Sequence, residues 1–170
     1  PPLEFFSEVE ARDPMLLRLH MWHFMDLAVL ANAPPADPIR QRPLLYNIFN
    51  TRTEGFATAL EELMMHAGLF EGRTRSRELV YVMLGQRAAR ALGDLHMHDN
   101  TWTLEQASEF TSKATPRGWL RLDGHTVRGE QHLWLRRPSY GTTYIVGKAM
   151  TDDLIARMSR NGPLPMKALL

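Results

Sequence analysis

The sequence contains no cysteine in its 170 residues. That absence excludes disulfides, thiolate metal sites and a cysteine nucleophile together, and it suits a reducing compartment. No apolar run reaches the roughly 20 residues that a membrane-spanning helix needs. Pro1-Pro2-Leu3-Glu4 lacks the basic-then-apolar layout of a signal peptide. The formal net charge is only +1, so no broad field is available for a polyanion. The local basic groups, Arg73, Arg75 and Arg77 and then Arg136 and Arg137, read as solvated faces. Strand-like alternation is confined to Trp119, Leu120 and Leu122, and no internal repeat is visible. These absences together predict a cytoplasmic protein with neither a nucleic-acid nor a membrane partner.

What is present reads as helix. Asp13 as N-cap and Pro14 at the first helical position start a segment that Pro34-Pro35 must end. It is apolar nearly all round, which predicts a central position. Thr51 and Glu54 have the spacing of a capping box, and Gly68 is a natural stop for the helix between them. Its stripe is Phe56, Leu60, Leu63 and Met64. A long helix is predicted from Arg77 to about His96, and Thr103 with Gln106 forms a second capping box for a helix reaching Ser112. Ala114 to Gly124 reads as loop or short helix, and His125 to Arg137 as one more helix, closed by Pro138. Ser139 is positioned to cap a last helix with Tyr144, Val146, Met150, Leu154 and Ile155 on its apolar side, ending at Asn161-Gly162. The fold class is therefore all-α, a single domain over 1–170 of about six helices, with 1–12 as lead-in and 163–170 as tail.

Among the seven histidines, His20 and His23 stand three apart on the apolar helix, so both side chains can face one way. Two such histidines plus a carboxylate from a neighbouring helix would make a three-ligand metal site with an open position. The bland alternative is a pair of core histidines bonded to backbone carbonyls. His96-Met97-His98, between Asp94 and Asp99, lies at a predicted helix C-terminus, where a protonated imidazole is favoured. His66, His125 and His132 read as surface or packing residues.

An ordered set of short motifs runs from about Leu19 to Arg157. It comprises Glu54-Gly55-Phe56-Ala57 with Glu61 and Gly68, then Arg87-Ala88-Ala89-Arg90, then Asp94 and His98. Trp102-Thr103 with Glu105-Gln106-Ala107, and finally Glu130, Pro138, Tyr144 and Gly147, complete it. This set resembles the carboxyl-terminal part of the bacterial DUF885 family, whose members resemble zinc metallopeptidases of the gluzincin kind. The resemblance implies a helical metallohydrolase core. His23 and Glu54 take the places of zinc ligands, and His98 and Tyr144 those of groups that steady the transition state. The chain departs from the family pattern at Leu17 and Arg18, which stand where a metal histidine and the water-activating glutamate are implied. Further departures are Phe56, Ala59 and Leu133, in the places of a tryptophan, a tyrosine and an arginine. His20 is one turn from the lost ligand, and Asp26 or Glu61 would have to replace the lost base.

The expectation is a small enzyme acting on a small amide, ester or biosynthetic intermediate. Its metal or acid–base site would be His20, His23 and Glu54, with His98, Tyr144, Asp94 and Glu61 as further catalytic groups. With zinc it would hydrolyse; without zinc it would run isomerase, dehydratase or cyclase chemistry. Its partner is then a small-molecule substrate, with self-association or a partner subunit covering the cleft. The competing expectation is a catalytically dead domain kept for binding or assembly.

Overall fold

The computed structural model describes residues 5–38, 50–115 and 119–163, without the side chains of Phe5, Phe6, Ser7, Glu10, Leu17, His20 and Asn161. Its helices are α1 (Phe5–Arg12), α2 (Pro14–Asn32), α3 (Asn50–His66), α4 (Thr74–His98), α5 (Leu104–Ala114), α6 (His125–Arg136) and α7 (Tyr140–Met158). A 3-10 turn, Ser159–Asn161, follows α7. There is no strand among the described residues, and the fold is all-α. The segment before Asn50 and most of the tail lie outside the described residues.

Local chemistry explains several helix ends. The Asp13 carboxylate accepts from the Met15 N–H at 3.1 Å at the head of α2, and Arg73 and Ser76 reach the same carboxylate from the start of α4. α4 starts at Thr74, three residues before the predicted Arg77. Thr103 and Gln106 make both bonds of the predicted capping box (2.8 and 3.2 Å). Gly68 (φ +95°) turns the chain after α3, with Leu69 N–H bonding back to Met64 O at 3.0 Å.

Two predicted caps do not form. α3 is already helical at Asn50, so Thr51 is inside the helix and Glu54 is not a capping-box partner. Ser139 precedes α7 in a left-handed conformation (φ 66°), and its side chain makes no cap bond. Asp94 supplies the cap from α4 instead, accepting from Ser139 N–H at 3.2 Å and Gly141 N–H at 2.7 Å.

The centre of the fold is the crossing of α3 and α7, where backbone meets backbone. A Cβ on Gly55 would stand 2.2 Å from Gly147 Cα, and one on Gly147 would stand 1.8 Å from Thr51 O. Only paired glycines allow this approach. α4 packs beside α7 and α5, and α6 lies against α4 and α5. One core cluster joins Leu16 and Leu19 of α2 to Met65, Phe70 and Val80; another joins Met97, Ala107 and Trp134.

α2 is not central, contrary to its composition. It packs on α3 and α1 through Leu16, Leu19, His23, Asp26 and Leu30, and leaves Met21, Trp22, Phe24, Met25, Leu27 and Val29 exposed. α7 differs in the same way. Its packed face is small and polar (Gly141, Thr143, Gly147), whereas Val146, Met150 and Leu154 are exposed. The close crossing with α3 has room only for small residues, which turns the larger apolar ones outward.

Candidate functional site

A cavity of about 460 Å³ opens where α2, α3, α4, α6 and α7 converge. α2 contributes Leu19, His23 and Phe24; α3 contributes Glu54, Ala57, Thr58 and Glu61. Met83, Gln86, Arg87 and Arg90 come from α4, Thr126 and Glu130 from α6, and Tyr144 from α7. The volume suits a small-molecule ligand.

His23 and Glu54 face each other, Nε2 to Oε2, at 3.8 Å. That is longer than a hydrogen bond, so each edge retains capacity for a third group lying between or beside them. Glu54 is oriented from behind by the Tyr140 hydroxyl, which donates to Oε1 at 2.6 Å. Burial, and then the bond to Glu54, push the Tyr140 phenol far above its ordinary range. Tyr144 is pushed up to about 12, by burial and then by the Glu54 charge, so it stays a protonated phenol. Trp134 stacks on Tyr140 at 5.1 Å between ring centroids, which fixes the phenol that fixes Glu54.

The opposite wall is made of ion pairs. Arg87 donates two bonds to Glu61, at 2.5 and 2.7 Å. Burial works against the Arg87 charge, but the Glu61 carboxylate outweighs it and raises the pKa. Arg90 pairs with Glu130. Both guanidiniums also stand over the Tyr144 ring, 5.9 and 5.4 Å from its centroid. His23 Nδ1, Gln86 Nε2, Arg90 Nε and Glu130 Oε2 are buried without a hydrogen-bond partner. Orphan polar atoms on four lining side chains mark a wall that a polar ligand would complete.

The sequence-predicted residues divide accordingly. His23, Glu54, Glu61 and Tyr144 share the cavity. Glu61 is bound to Arg87, which leaves it poorly suited to the role of replacement base. Asp26 is bound to Arg52. His98 and Asp94 are not among the lining residues. His98 Nε2 donates to Trp134 O at 3.0 Å and lies 3.3 Å from Asp94. Asp94 is fully buried beneath the first turn of α7; burial raises its pKa, against the pull of the Gly141 and Ser139 N–H groups. The proposed convergence of the groups at 23, 54, 98 and 144 therefore fails at position 98. His96 stacks on Trp102 at 4.1 Å and serves the local helix end. The His20 side chain lies outside the described residues.

A zinc centre needs at least three protein ligands. Among the described residues no three of His, Asp and Glu are grouped to hold an ion, and His23 with Glu54 supplies two donors. The side chain of His20, the third expected ligand, lies outside the described residues, and no step of the proposed chemistry passes through a metal.

The sequence alone does not assign Arg87, Arg90, Glu130 or Tyr140 to the site. Their signal was positional: Arg87 and Arg90 continue the Met83 stripe of α4, and Glu130 continues that of Val127 and Trp134 on α6. Charge at a core position of a helix is a mark of buried pairing. No family model, no curated protein and no solved structure matches this chain.

Proposed function

We propose that the chain is a small-molecule enzyme of the isomerase, dehydratase or cyclase kind, working by metal-free acid–base chemistry at His23 and Glu54. The observation that carries this reading is their separation of 3.8 Å at the cavity wall, with Glu54 steadied by Tyr140. One of the pair removes a proton from the substrate while the other returns one, and positioned proton transfer of this kind contributes roughly 10²–10⁴-fold. Tyr144, protonated throughout the working pH range, donates a hydrogen bond to the oxygen on which charge develops. The DUF885-like pocket is retained in this reading, and the hydrolytic role of the family is not.

The test is proton exchange in D₂O. The protein is incubated with a panel of small hydroxy- and keto-compounds, and incorporation of deuterium is followed by NMR. Exchange lost in His23→Gln and Glu54→Gln and retained in His98→Gln supports the reading. Exchange equal in all four proteins defeats it. A stoichiometric metal ion that disappears in Glu54→Ala defeats it in favour of a hydrolase.

A silent assembly module is the second reading, favoured by the apolar residues that α2 leaves exposed at Met21, Trp22, Met25 and Val29. Sedimentation of the wild type and of Trp22→Glu separates the two readings. Association lost in the variant, without any exchange activity in the wild type, favours the module.

A further inference from the structure

The charges around the cavity do not cancel, and the remainder lies on one residue. Among the described lining residues the carboxylates are Glu54, Glu61 and Glu130, and the guanidiniums are Arg87 and Arg90. Two of the carboxylates are taken, Glu61 by a bidentate bond to Arg87 and Glu130 by Arg90. Among the described residues, Glu54 has a phenol and an imidazole beside it. Its side chain is 14 % exposed, so water screens it poorly. A negative ligand would meet this carboxylate, and both guanidiniums are already engaged by carboxylates, with Arg90 keeping only its Nε unpartnered. A positive ligand meets an acceptor with unused lone pairs.

We infer that the cavity takes a small organic cation, a primary or secondary amine with an apolar body, its ammonium on Glu54 and its body against Leu19, Phe24 and Met83. This rests on the small-molecule reading above and narrows it to a substrate class. With the ammonium held by Glu54, His23 is the member of the pair left to move the substrate proton. An N⁺–H···O⁻ bond to Glu54 is charge-assisted and roughly twice as strong as a neutral one. It also gives the partly buried carboxylate the countercharge that the described protein groups do not provide. The apolar wall gives the ligand body a place that a bare inorganic cation would leave empty.

The test uses three probes of nearly one shape: phenethylamine, 2-phenylethanol and phenylacetate. Binding to the full chain is measured by titration calorimetry at neutral pH. The expected order is amine tighter than alcohol by about tenfold or more, with phenylacetate weaker than both. Glu54→Gln brings the amine down to the level of the alcohol. Glu130→Gln, at a more exposed position, releases Arg90 and raises phenylacetate above its wild-type affinity, which keeps the test alive where Glu54→Gln fails to fold. Equal binding of amine and alcohol, or tighter binding of phenylacetate to the wild type, overturns the cation assignment and leaves the small-molecule site standing. Absence of binding by all three overturns the assignment and the small-molecule reading together.

Discussion

Glu54 and Glu61 are two turns apart on α3 and border the same cavity, yet their surroundings give them different tasks. Glu61 is 3 % exposed and locked to Arg87, which is itself 8 % exposed. Breaking a buried pair leaves a bare charge in the interior and costs about 3–5 kcal/mol. Glu61→Ala is therefore expected to lower the unfolding free energy by that amount in urea titrations. Replacing both partners together, as in Glu61→Met with Arg87→Met, should restore much of the loss. Glu54 is oriented rather than neutralised, and Tyr140→Phe removes only the orienting hydroxyl. It should reduce proton exchange while leaving the unfolding free energy from urea titration within about 1–2 kcal/mol of the wild type. The phenols carry their own signature. With Tyr144 pushed up to about 12 and Tyr140 higher, ultraviolet titration should find two tyrosines still protonated past about pH 11.

At the scale of elements, α7 is held at three levels along its length. Asp94 caps its first turn, Gly147 meets Gly55 at the crossing, and Lys148 bridges Glu62 of α3 and Asp152, each at 2.6 Å. Gly147→Ala places a methyl against Thr51 O, where backbone cannot yield, and should unseat α7 with a loss of several kcal/mol or no folded protein. Circular dichroism with thermal melting checks this. The Lys148 bond lowers the pKa of Glu62 from its ordinary 4.5. A depressed carboxyl pKa contributes stability above the unfolded value, and that contribution disappears as pH falls through the folded value. Glu62→Gln should thus cost up to about 1 kcal/mol at neutral pH, as expected of a partly exposed pair, and nothing once pH is well below 4.5. Parallel urea titrations at the two pH values read the difference.

Helix ends were the most legible part of the chain, because caps at Asp13, Thr103 and Gly68 are written within a few residues. The capping-box spacing of Thr51 and Glu54 misleads for the same reason. It fits locally, but α3 is already helical at Asn50, and the partner that decides the role of Glu54, Tyr140, lies 86 residues away. The outward faces of α2 and α7 were illegible, since hydropathy says which residues favour burial and not whether a neighbour stands there.

At the scale of the whole molecule, the cavity is a product of convergence and not of any one motif. The ordered resemblance was enough to bring His23, Glu54 and Tyr144 together in expectation, and the fold does place them on one cavity. It was not enough for His98, which is tied to the Trp134 carbonyl and is not among the residues lining the cavity. His98→Gln should accordingly leave ligand binding unchanged while lowering the melting temperature by a few degrees. The Arg87 and Arg90 pairs were visible as sequence but not as function, because only the assembled helices show that their charges are already answered.

Trp134 gives the molecule a built-in optical gauge. It is 1 % exposed, and its indole lies flat against the ring of Tyr140, one bond removed from the carboxylate at the cavity wall. The other three tryptophans, Trp22, Trp102 and Trp119, are more open to water. The blue, quencher-resistant share of the emission therefore belongs to Trp134, and filling the cavity should change its lifetime while the red share stays constant.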